Sequence, residues 1–115
     1  MAFTELFTGS ASIPTTETSL VSGTTTLASN TTKGIYQLFL DLSALVAGDS
    51  YTLKVKEAVQ VAGTQRIVQS ITLAGVQTEP VYVTPALAMF NGWDYTLTNS
   101  GGVARTIAWS IRQVA

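Results

Sequence analysis

The stretch Gly34-Ile-Tyr-Gln-Leu-Phe-Leu-Asp-Leu42 decides the fold class. Tyr36, Leu38, Leu40 and Leu42 fall on one side of an extended chain, and Gln37, Phe39 and Asp41 on the other. Successive side chains of a strand point to opposite faces, so this period of two marks a strand with one buried face. The same alternation recurs downstream. Tyr51, Leu53 and Val55 alternate with Thr52, Lys54 and Lys56, and Ile107, Trp109 and Ile111 alternate within Thr106–Arg112. Ile67, Gln69, Ile71 and Leu73 share a face of Arg66–Leu73. Val81 and Val83 share a side of Pro80–Thr84, and Trp93, Tyr95 and Leu97 begin a further strand.

Turn signals separate these runs: Gly48-Asp49, Ala62-Gly63-Thr64, Ala74-Gly75, Asn91-Gly92 and Asn99-Ser100-Gly101-Gly102. Ser43–Gly48 reads as a loop or one helical turn. Pro85–Phe90 reads as a helical turn too short to be a helix in its own right. About eight or nine short strands at roughly ten-residue spacing predict a single-domain, all-β antiparallel sandwich or jelly roll. Its core is expected from the in-phase residues of these strands, Ile67 and Ile71 among them.

The first 30 residues read differently. Phe3–Phe7 is a short strand candidate, and Ser10–Ser29 is rich in Ser and Thr with apolar residues at Ile13, Leu20, Val21 and Leu27. Disorder is the compositional default for such a stretch, but spaced Ile, Leu and Val favour edge strands or an arm lying on a partner. The chain therefore divides into an N-terminal arm or edge strands over 1–30 and a β-sandwich over 31–115.

The 115 residues are 46% apolar and only 11% charged, with net charge −1 and neither histidine nor cysteine. Twenty-eight Ser and Thr take the place of the missing charge. That composition suits either a Thr-rich β-domain or a protein whose faces are covered by neighbours. No basic stripe points to nucleic acid. Pro80–Trp93, a long uncharged segment, is broken by Pro85 and polar residues, so no membrane span is expected. Met1–Gly9 lacks the pattern of a secretory signal, and without one the Asn30-Thr31-Thr32 sequon reads as chance.

Histidine and cysteine are the side chains most used for proton transfer near neutrality, nucleophilic attack and transition-metal ligation. Their absence, with no G-x-S-x-G elbow, P-loop or calcium loop, leaves no catalytic, cofactor or metal residues to nominate. The seven acids are scattered over separate strands and loops, so no glycosidase pair stands out. A non-enzyme is expected. Trp93 and Trp109 could build a sugar-stacking platform, but both lie in phase with apolar neighbours and are expected in the core. Phe39 is different, since it falls on the face of Gln37 and Asp41, where it would meet a second layer or another subunit. Phe39, the turn-adjacent Met89 and Phe90, and Phe3, Phe7, Ile13 and Leu20 of the N-terminal segment are the candidate interface residues.

Gly34–Leu42, Gly48–Glu57, Gly92–Leu97, Trp109–Arg112 and the opening Thr4–Ser12 resemble a family of small proteins encoded among tailed-bacteriophage structural genes. The resemblance covers nearly the whole chain, but its motifs carry scaffold, not chemistry. It implies a virion component on the capsid surface, made in the host cytoplasm: a head decoration or cement protein, or another small head or tail protein. The implied partner is the major capsid protein, and the three-fold sites of an icosahedral lattice imply a homotrimer. The alternative is a carbohydrate- or receptor-binding β-sandwich of a tail or head fibre.

Overall fold

The computed structural model describes residues 3–115, and Met1 and Ala2 of the N-terminal segment lie outside it. The described chain forms β1 (Thr4–Ser12), β2 (Thr18–Ser19), β3 (Gly34–Asp41), β4 (Ser50–Ala58), β5 (Gln65–Ala74), β6 (Val81–Val83), β7 (Leu87–Met89), β8 (Asp94–Gly101) and β9 (Thr106–Gln113). These make two antiparallel sheets. One has the order β1-β9-β3-β6, with β7 also on β3, and the other the order β2-β8-β4-β5. Following the chain, β1 lies in the first sheet, β2 in the second, β3 in the first, β4 and β5 in the second, β6 and β7 in the first, β8 in the second and β9 in the first. That alternation, with this strand order, is the jelly-roll connectivity.

The period-two runs supply the two inner faces. Tyr36, Leu38, Leu40, Ile107 and Ile111 from the first sheet meet Tyr51, Leu53, Val55, Tyr95 and Leu97 from the second, all fully buried. Trp93 sits at one end of this core beside Tyr36, ring centroids 4.5 Å apart, with Phe7 and Tyr95 edge-on to it. Its Nε1–H donates to the Thr32 carbonyl at 2.9 Å, so the indole is buried without losing its hydrogen bond.

Two expectations fail for local reasons. Ile67 is 54% exposed, not core. Val55 pairs with Gln69 but Lys56 pairs with Ile67, so Val68 is an extra residue on β5. This β-bulge shifts the alternation by one and turns Ile67 to the face of Lys56. Pro85–Phe90 is no helical turn: β7 continues along β3 where β6 stops, pairing Leu87 with Tyr36 and Met89 with Gly34. β6 and β7 are one edge strand interrupted at Pro85, which has no N–H to donate to a ladder.

The N-terminal segment takes its edge-strand form. β1 pairs with β9 from Thr4↔Gln113 to Ser12↔Thr106, and β2 pairs with β8 through Thr18↔Leu97. Ile13 and Leu20 lie inside the chain's own core, which an arm held only by neighbours would not provide. The Thr-rich stretch that follows is tied down by Asp94, which is fully buried and accepts hydrogen bonds from the Ser19 hydroxyl (2.8 Å) and the Ala28 N–H (2.9 Å). Gln65 Nε2 reinforces this by donating to the carbonyls of Ala28 and Gly92, both at 2.9 Å.

Candidate functional site

The outer face of the β1-β9-β3-β6 sheet carries the most distinctive surface chemistry. Register places its side chains in three rows. Gln37, Arg112 and Glu5 form the first, Val83, Phe39, Ser110 and Thr8 the second, and Val81, Asp41, Ala108 and Ser10 the third. The Arg112 guanidinium stacks on the Phe39 ring, 3.8 Å from its centroid. Its Nε–H donates to Ser110 Oγ at 3.1 Å, and the Ser110 hydroxyl donates in turn to the Glu5 carboxylate. One cation is thus held in place by an aromatic face and a hydroxyl–carboxylate chain. Beside it the small Ala108 leaves a hollow of about 220 Å³, bordered by Phe39, Asp41, Val81 and Arg112. Asp41 is exposed, and its carboxyl is held below the ordinary range by hydrogen bonds from the hydroxyl and backbone N–H of Ser43.

A second surface lies at the end of the sandwich. Lys33 Nζ sits 4.3 Å from the centroid of the Phe90 ring, above an open groove that runs between Thr31, Val61 and Gly92. A third is the free side of β5, where Ile67 and Val68 are both about half exposed.

The nominated interface residues separate cleanly by burial. Phe3 and Phe90 are exposed and Phe39 is half-buried on the outer face. Phe7 is half-buried but faces inward against Trp93. Ile13, Leu20 and Met89 are at most 2% exposed and belong to the core, so none of the three forms a surface. Met89 is buried because β7 is a strand whose alternate residues face in. Asp41 shares the face of Phe39 as the alternation implies, whereas Arg112 and Ala108 carry no signal in the sequence as its surface partners. Arg112 and Ala108 lie on a strand some seventy residues away, and only pairing brings them alongside.

Most carboxylates hold loops in place. Glu17 receives Lys56 Nζ at 2.9 and 3.0 Å and the Thr96 hydroxyl. Burial pushes the Glu17 carboxyl up, but the bonds from Thr96 and Lys56 with the charges of Lys56 and Lys54 outweigh it, and the group sits below its ordinary range. Asp49 accepts from the Val46 N–H (2.9 Å) and Arg105 Nε (2.8 Å), which lower it likewise. Glu57 accepts the N–H groups of Phe90 and Asn91 and closes the turn into β8. Among the described residues no three acidic side chains converge as a metal cluster. Among the described residues, the outer sheet face brings together an aromatic ring, a guanidinium and a hydroxyl–carboxylate chain. No protein-family model, curated protein or solved structure matches the chain.

Proposed function

We propose that this chain is a non-enzymatic structural protein of a virion, a decoration or cement protein that lies between capsomers and stabilises the head by contact with the major capsid protein. The observation that carries this reading is the outer sheet face centred on Phe39, Arg112 and Ala108, a broad, mostly neutral surface with one cation held on Phe39 and two carboxylates, Glu5 and Asp41, each hydrogen-bonded within the chain. Such a surface works by covering area. Many weak, repeated contacts on a lattice add up through avidity where any one would be marginal. The resemblance to phage structural proteins supports the same reading, as does the jelly roll, a fold used in viral capsid proteins, although fold by itself assigns no role.

The sugar-binding alternative loses its platform, because Trp93 is fully buried and Trp109 is 6% exposed. The test is binding to heads assembled without this protein by the phage that encodes it. Purified protein should co-sediment with such heads to saturation and raise their temperature of disruption. Heads that neither bind the protein nor gain thermal resistance would overturn the proposal.

A further inference from the structure

Two unlike surfaces lie at opposite ends of one edge of the sandwich. At one end, the groove beside Lys33 opens between the turn after β7 and the hairpin joining β4 to β5, with a volume of about 330 Å³. Its wall is apolar where Val61 and Phe90 stand exposed, and its cation is Lys33, held over the Phe90 ring. Glu57, the acid beside it, is already engaged by the N–H groups of Phe90 and Asn91. At the other end, residues 75–80 carry the chain from β5 to β6. Register fixes the placement: Ala58 pairs with Gln65 and Gly34 with Met89 at the groove, and Ser50 pairs with Ala74 and Asp41 with Val81 at the loop.

The loop holds its own shape. The Gly75 N–H donates to the Asp49 carbonyl, the Leu42 N–H to that of Pro80, and Gln77 Nε2 to those of Ala74 and Gly75. These bonds leave Val76 70% exposed, with Glu79 exposed on the same loop. Among the described residues neither Lys33 nor Glu79 has an ion-pair partner. The loop therefore offers an apolar side chain and a carboxylate, and the groove an apolar wall and an ammonium. The surroundings agree in sign, with Asp41 beside the loop and Arg66 opening β5 beside the groove.

We propose that this loop docks into the same groove on a second copy of the chain, Glu79 against Lys33 and Val76 against Val61 and Phe90. Loop and groove lie at opposite ends, so the contact is heterologous. Every pair keeps one free loop and one free groove, and association continues past the pair into a file or a ring. A docked loop buries less than a standard interface, so the assembly forms at high concentration or where a surface gathers the protein. The inference does not depend on the virion role.

Sedimentation of the full chain from low micromolar to about 1 mM tests this. The mass should rise with concentration through dimer to larger species. Lys33→Glu and Glu79→Lys, both at exposed positions, should each weaken association about tenfold or more with the melting temperature kept. An equimolar mixture of these two variants should associate again. The changed groove of one then meets the changed loop of the other with opposite charge, and the unchanged groove and loop meet as in the parent. Val76→Ser should weaken association as well, by removing the apolar half of the contact. A monomer at every concentration, growth that stops at the dimer, a mixture no better than its components, or an indifferent Val76→Ser would overturn the proposal.

Discussion

The indole of Trp109 occupies the space that a Cβ at residue 9 would need. Gly9 and Trp109 are directly paired across β1 and β9, and Trp109 also donates its Nε1–H to the Leu20 carbonyl at 2.9 Å. The smallest side chain in the sequence therefore lets β1 close over the largest, and the same indole fastens the N-terminal segment to β9.

Gly9→Ala should accordingly destabilise the fold by about 1–3 kcal/mol through overpacking, and Gly9→Val by more. Chemical denaturation measures both. A Gly9→Ala variant as stable as the parent would show that the indole can move aside at no cost.

Asp94 and Asp49 should respond to pH in opposite directions. Burial raises the Asp94 carboxyl against the pull of the Ala28 N–H and the Ser19 hydroxyl, so the folded chain holds that proton more tightly than the unfolded one. Its contribution to stability is fullest below the ordinary value of 3.8 and is lost as pH rises through the raised folded value. Measured against the parent, Asp94→Asn should therefore fare worst at about pH 3.5 and improve towards about pH 7.

For Asp49, the Val46 N–H and Arg105 lower the folded value below 3.8. Its contribution is present above that value and is lost as pH falls through the depressed one. Asp49→Asn should destabilise the fold at neutral pH and progressively less in acid. Urea titrations across the pH range distinguish the two residues, and parallel curves for the two variants would contradict both assignments.

Removing residues 1–29 should unfold the chain. It takes away both edge strands together with Ile13 and Leu20, and uncovers Ile107, Trp109 and Ile111 along β9. Leu20→Ala is the milder version and should cost about 2–5 kcal/mol. A truncated chain that keeps cooperative melting would instead identify the segment as an appendage.

The free edge of β5 carries Ile67 and Val68 without a lysine or proline to discourage pairing. Ile67→Lys should change stability by no more than about 0.5 kcal/mol, since the side chain is exposed, and should slow aggregation on heating. Light scattering during a thermal ramp is the measurement, and an unchanged aggregation rate would place the liability elsewhere.

Much of this architecture was legible in the alternation of single strands. Gly34–Leu42, Tyr51–Val55 and Thr106–Arg112 each carry their inward set at every second residue, so their burial follows from strand geometry whatever they pack against. The same rule put Trp93 and Trp109 in the core and Phe39 on the opposite face. It failed at Ile67, because a bulge is an accommodation between two paired strands and leaves no mark in the period of one. It failed at Pro85–Phe90 too, where the neighbouring β3 supplies the ladder that makes Leu87–Met89, three of six ambiguous residues, a strand.

The N-terminal segment and the Phe39 surface show where sequence alone stops. Composition left Ile13 and Leu20 open between an arm and an edge, because burial depends on what lies beside a residue and not on its own hydrophobicity. Likewise Phe39 was visible as an apolar residue on a polar face. Its stacking on Arg112, the hydroxyl–carboxylate chain from Ser110 to Glu5 and the hollow at Ala108 exist only once β1, β9, β3 and β6 lie side by side. By itself the sequence determined which side of each regular strand is apolar, a property of one chain direction and its period. The tertiary structure alone decided which strands are neighbours and in what register, because those pairings join residues far apart in the chain and are selected by the packing of the whole core.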